Sequence, residues 1–294
     1  MRLDELPKSA QIEDRRGVAV ARGSIGIGTV VVLGLIGWAL GIDPRLLIGG
    51  AEMMSRSGQT QQQTDTGSTS AGIPSDAMGQ FVSAVLGSTE AQWTDIFAQA
   101  GKTYKPPTLV MFSGATKSGC GFAQAAMGPF YCPIDQKVYL DTSFFQDLEK
   151  RFGACNVGSK TCQFSKAYVI AHEIGHHVQN QLGLLPQVQE AQRAMGKADA
   201  NSLQVRVELQ ADCLAGVWAN RGQAKWRFIE PGDVESALQT ASAIGDDRLQ
   251  RKTQGYVVPD AFTHGTSAQR TQWFITGLKS GALASCDTFA SAQR

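Results

Sequence analysis

Residues 165–183 read Ser-Lys-Ala-Tyr-Val-Ile-Ala-His-Glu-Ile-Gly-His-His-Val-Gln-Asn-Gln-Leu-Gly. Within them Ala167, Ile170, Ile174, Val178 and Leu182 recur at three- and four-residue spacing, which predicts an amphipathic helix of about five turns. Ser165 is the candidate N-cap, and Gly183 sits where a helix stops. His172 and His176 stand four apart on this helix, so their imidazoles share a face one turn apart. They can converge on one ion at about 2.0–2.1 Å, the geometry of a zinc site. Glu173 is offset from the first His by about 100° of helix. It is thereby kept off the metal and beside the metal-bound water, where it can take a proton and pass it to a leaving amine. Zinc lowers the pKa of that water, so a carboxylate is a sufficient base. His177 points away from His176 and reads as a structural or substrate-side residue.

The third ligand must come from elsewhere. A longer pattern, His-Glu-x-x-His-x-x-Gly-x-x-His, would require Gly at 179 and His at 182; this chain has Gln179 and Leu182. Beyond the helix the only remaining His is His264, in a different context, so a carboxylate is indicated. Asn201-Ser202 could cap a second helix running to Arg221, with Gly222 after it and Leu203, Val207, Leu214 and Trp218 among its apolar residues. Glu208 and Asp212 share one face of that helix. Two acids on an otherwise apolar helix are costly to bury unless paired or metal-bound. Glu208 is assigned as third ligand and Asp212 as the partner of a ligand imidazole, fixing its tautomer. Glu190 and Asp199 are rivals, but both lie in a polar, Gln-rich connection.

Around these two helices, residues 76–100 show helical spacing broken near Gly87, which reads as two short helices. Thr108–Phe112 and Lys137–Asp141 read as strands and Phe144–Phe152 as a short helix. Another helix is expected over 267–280. The fold class is α+β, mainly helical with a small sheet.

The first seventy residues differ in kind. Residues 1–22 are polar and carry both signs. Residues 23–42 hold no charge, and at about 1.5 Å per residue they would span a bilayer core of about 30 Å. Gly37-x-x-x-Gly41 would let two such helices approach, a route to a helix-mediated dimer. Five Lys/Arg precede the run and only Arg45 and Arg56 follow closely, so the positive-inside rule places residues 1–22 in the cytoplasm and the remainder outside. Residues 43–72 form a juxtamembrane segment and a flexible, Ser/Thr/Gln/Gly-rich linker, and the catalytic domain is expected over 73–294. Composition adds exclusions. The chain has 294 residues, 27 Lys+Arg and 26 Asp+Glu, for a net charge of +1, which gives no electrostatic case for a nucleic-acid partner. A 43% hydrophobic and 18% charged composition excludes global disorder.

Ala171–Gln179, then Glu208-x-x-Ala211-Asp212, then His264-Gly265-Thr266-Ser267-x-Gln269-Arg270 resemble the bacterial neutral zinc metallopeptidases, over nearly the whole chain. The resemblance implies a glutamate-zincin fold, Zn2+ as cofactor and a peptide or protein substrate lying along an edge strand above the active-site helix. In that class a His or Tyr often steadies the oxyanion opposite the metal. His264 is the candidate and Tyr256 the runner-up.

There is no Cys-x-x-Cys among Cys120, Cys132, Cys155, Cys162, Cys213 and Cys286. An even count outside the cytoplasm suggests disulfides, and proximity suggests 120–132, 155–162 and 213–286. The reading is therefore a membrane-anchored zinc endopeptidase acting outside the cytoplasm, with a zinc-stabilised binding or scaffold protein as the competing reading.

Overall fold

The computed structural model describes residues 1–18, 69–124, 128–150 and 162–290. Seven strands are described: β1 (Ile12–Asp14), β2 (Ser70–Ala71), β3 (Thr108–Phe112), β4 (Ala115–Ser118), β5 (Gly121–Gln124), β6 (Phe130–Cys132) and β7 (Lys137–Asp141). Five form a sheet in the order β2-β1-β3-β7-β6, and β4 and β5 pair as a separate hairpin. The central strands β1, β3 and β7 run parallel; β2 and β6 flank them antiparallel. Both strands expected from the sequence, 108–112 and 137–141, are present and are neighbours. Leu109, Val110, Met111 and Phe112 are all fully buried, which suits a parallel strand covered on both faces.

The helices are α1 (Ala77–Gln99), α2 (Phe144–Lys150), α3 (Cys162–Gln181), α4 (Leu184–Arg193), α5 (Lys197–Trp226), α6 (Asp233–Ala243), α7 (Asp246–Gln254) and α8 (Ser267–Ser280). The last matches its expected span, and Thr266 closes its N-terminus with a capping box to Gln269. Elsewhere Gly87, Ser165, Asn201 and Gly222 lie inside helices and do not mark their ends. Residues 77–99 form one helix, with Gly87 inside it, because the Pro7–Lys8 backbone passes so close that a Cβ there would lie 2.8 Å from Lys8 C. Gly222 lies within α5, packed against the Phe228 ring. Ser165 lies inside α3, its hydroxyl 2.7 Å from that of Ser236, because the helix begins a turn earlier. Asn201 likewise lies within α5, which begins at Lys197 after Gly196.

The largest correction concerns the N-terminus. Residues 1–18 do not stand apart from the domain: Met1, Leu6 and Ile12 are buried in the main core. Glu13 pairs in register with Val110 on one side and Ala71 on the other. Arg16 bridges Asp14 and Asp76, and its pairing to both carboxylates is bidentate in character. Hydrogen-bonded strands share one compartment, so residues 1–18 and the domain lie on one side of any membrane. The expected placement of residues 1–22 across a membrane from the domain does not fit this sheet. The domain entry likewise moves from Ile73 back to β2. The apolar run 23–42 lies outside the described residues, among which no helix is long and apolar enough to cross a membrane.

Cys120–Cys132 ties the β4–β5 hairpin to β6, and Cys213–Cys286 ties α5 to the C-terminal turn. Both match the expected pairing; Cys155, in the third expected pair, lies outside the described residues.

Candidate metal centre

Helices α3 and α5 cross where Gly175 meets Ala211. A Cβ at position 175 would lie 3.1 Å from both the Ala211 Cα and its carbonyl oxygen, so the glycine within the His-Glu-Ile-Gly-His stretch sets the approach of the two backbones. The approach faces His172 and His176 toward Glu208 and Asp212. The apolar side of α3, with Ile170, Ile174 and Val178 fully buried, holds the helix against the core and fixes its rotation.

One ligand atom from each of His172, His176 and Glu208 lies within 4.8 Å of the others. Glu208 Oε2 is 3.1 Å from His172 Nε2 and 3.5 Å from His176 Nε2. Each ligand is held from behind by a different partner. His172 Nδ1 lies 2.8 Å from Asp212 Oδ1. His176 Nδ1 lies 2.9 Å from Gln179 Oε1, and the Gln179 amide donates in turn to the Val207 carbonyl and Gln210. Gln204 donates to Glu208 Oε1 at 3.0 Å. With their Nδ1 atoms bonded to oxygen acceptors, both imidazoles are in the tautomer that leaves Nε2 free for a metal.

The electrostatics agree. Burial works to raise the Glu208 pKa, but the facing His176 and His172 hold it well below the usual carboxylate range. Burial works to lower that of His172, and the Asp212 and Glu208 carboxylates outweigh it and push the imidazole up. The cluster thus favours positive charge where the three ligand atoms meet. Two imidazoles and a carboxylate with an open fourth position are the donor set of a catalytic zinc, and the residues fit that ion.

Glu173 is 7% exposed. Among the described residues its carboxylate has no hydrogen-bond partner, which leaves both oxygens for water and substrate. His177 turns the other way, into the Tyr104 and Tyr131 rings, with Nε2 2.7 Å from the Lys105 carbonyl. The rival acids stay apart: Glu190 is exposed and pairs with Arg193, and Asp199 is exposed near the start of α5.

His264 lies in the loop before α8. Gly265 beside it faces Val205 and Leu209 of α5, the helix that carries Glu208. Asp246 holds this loop: its Oδ2 accepts the backbone N–H of Thr263, His264 and Gly265, and its Oδ1 lies 3.2 Å from His264 Nδ1. Tyr256 is 56% exposed.

Sequence reasoning missed four contributors. Gln179 follows His176 by three on the same helix and Gln204 precedes Glu208 by four, so helical spacing could have marked both. Asp246 and Arg270, whose Nε donates to Asp212 Oδ2 at 2.8 Å, come from distant elements and left no such signal.

Residues 1–289 match the family described as "Putative neutral zinc metallopeptidase". The chain is 43% identical to "Uncharacterized protein YpfJ" of Escherichia coli (strain K12) over 99% of its own length and all of the relative's. It is 44% identical to "Uncharacterized protein Mb2605" of Mycobacterium bovis over 64% of each chain. No solved structure matches it. With a family match over almost its entire length and three candidate zinc ligands brought together on α3 and α5, the chain belongs to the neutral zinc metallopeptidase family.

Proposed function

We propose that the protein is a zinc-dependent endopeptidase that hydrolyses peptide bonds with Glu173 as general base. The observation that carries this reading is the buried His172–His176–Glu208 cluster with the unpartnered Glu173 carboxylate beside it. Zinc held by His172, His176 and Glu208 would polarise the scissile carbonyl and acidify a water. Glu173 accepts the water's proton and returns it to the leaving amine. His264, oriented by Asp246, donates to the oxyanion that forms as the carbonyl is attacked. A protein that used zinc only as a structural staple would have no need of a buried, unpaired base, and would fill the fourth position with protein.

In this reading the folded body works in an oxidising compartment, supported by the two disulfides, and residues 23–42 are its contact with the membrane. The test is Glu173→Gln in the full chain. Zinc should stay bound while chelator-sensitive cleavage of a diverse peptide library falls by about 10²–10⁴. Cleavage that persists unchanged in Glu173→Gln removes the proposed mechanism.

A further inference from the structure

Behind His172 the polar contacts continue away from the metal site. Asp212, with no exposed surface, accepts four hydrogen bonds. Two come from the Tyr168 hydroxyl (2.5 Å) and His172 Nδ1 (2.8 Å), both at Oδ1. The other two come from Arg270: Nε to Oδ2 at 2.8 Å and Nη2 to Oδ1 at 3.0 Å. This is a parallel fork, the one arrangement in which a guanidinium fixes the plane of a carboxylate as well as its position. Arg270 is 2% exposed, and two further N–H groups donate to the Ile244 carbonyl (3.3 Å) and Tyr168 Oη (3.4 Å).

The fork sits on a rigid support. Along the α5–α8 interface, a Cβ at Gly277 would lie 2.8 Å from Val217 N, and one at Gly216 would lie 2.6 Å from Leu278 N. The two backbones are therefore in direct contact, with the Arg270–Asp212 pair at the same interface.

We propose that Arg270 is a positioning residue of the zinc site: its guanidinium fork holds the Asp212 carboxylate in the plane that aims His172 Nε2 at the metal. The arrangement transmits the placement of α8 to the ligand set. Charge alone does not accomplish this, because an ammonium binds a carboxylate as a point and leaves its plane free to turn. The inference rests on the zinc site of the proposed function and not on its peptidase chemistry.

The test measures zinc affinity by chelator competition on the full-length chain for wild type, Arg270→Lys and Arg270→Met, with thermal unfolding of the metal-free proteins alongside. Val85→Ala in the core of α1 serves as a variant weakened by packing alone. The expected result is a zinc Kd raised about 10–100-fold in both Arg270 variants. The visible spectrum of the cobalt-substituted protein should shift in both, and neither readout should change in Val85→Ala. Arg270→Met is the variant more exposed to misfolding; Arg270→Lys keeps the charge and carries the test if Arg270→Met does not fold. Wild-type affinity and spectrum in Arg270→Lys would overturn the inference while leaving the zinc site standing. A wild-type chain that binds no zinc would remove both.

Discussion

His176 and His177 are adjacent in the chain and occupy opposite environments. His176 faces a carboxylate; His177 is buried between the Tyr104 and Tyr131 rings with no carboxylate touching it among the described residues. Burial lowers the His177 pKa from its ordinary value, against a smaller opposing effect of the Lys105 carbonyl. The sign follows from proton counts. Above about pH 6.5, the unperturbed value, the ring is neutral in both folded and unfolded chains and contributes no slope. Below it the unfolded chain takes up a proton that the folded site resists, so stability falls as the pH falls. With zinc saturating, the urea midpoint of wild type should drop between pH 7 and pH 5.5 more steeply than that of His177→Gln, and parallel curves would contradict this. At the same scale, Asp212→Asn removes the acceptor behind His172 and should weaken zinc about 10–100-fold, read by chelator competition. The candidate metal ligands were legible because helical spacing displays them. Gln179 enters the sequence reading as the residue that breaks a longer motif and as the end of the stretch that carries the resemblance, although its position three residues past His176 suffices to place its amide on that imidazole.

Helices whose ends are set by packing misled the sequence reading, and the glycines explain why. Gly87 and Gly222 resemble helix breaks when only neighbouring residues are considered. Each instead makes room for another element, the Pro7–Lys8 strand of chain over α1 and the Phe228 ring against α5. Local propensity counts the roughly 1 kcal/mol that glycine costs a helix and cannot see a contact made by residues far away in sequence. Gly175 is the functional counterpart. Gly175→Val would place a branched side chain against the Ala211 backbone and push α3 from α5. Zinc affinity should fall with it, because His172 and His176 sit on one helix and Glu208 on the other; unchanged affinity would show that another contact sets the crossing. The strands were legible in the reverse sense. β3 and β7 declare themselves by apolar content, whereas β1, Ile12–Asp14, is a three-residue stretch ending in two acids. It becomes a strand through its neighbours. Ile12 is 2% exposed between β2 and β3, so Ile12→Ala should cost about 2–5 kcal/mol of stability in denaturant titration. A chain begun at Ile73 would lack β1 altogether and leave β3 with an open edge, which predicts an aggregating or unfolded product.

For the molecule as a whole, β1 ties membrane topology to the sheet. Asp14 and Ser70 are register partners, so the chain between them leaves and returns at one point of the same sheet. The uncharged run 23–42 falls within that excursion. Hydropathy and flanking charge measure how well a segment suits a bilayer, and they carry no information about which strands must later meet. That is why a single crossing looked sound from sequence and conflicts with the paired strands. In the proposed reading the body works in an oxidising compartment, and β1 would put residues 1–18 there with it. The consequence can be measured in intact cells with two epitopes. One goes in at Gly17, where nothing lies within 4 Å of a would-be Cβ, and the other at Ile134, which is 74% exposed in the turn between β6 and β7. Protease added from outside the cytoplasmic membrane should remove both or spare both. Removal of the Ile134 epitope alone would mean that residues 1–18 lie across the membrane from the zinc site. In that case β1 could not pair with β3, and the core around Met1, Leu6 and Ile12 would have to close without them.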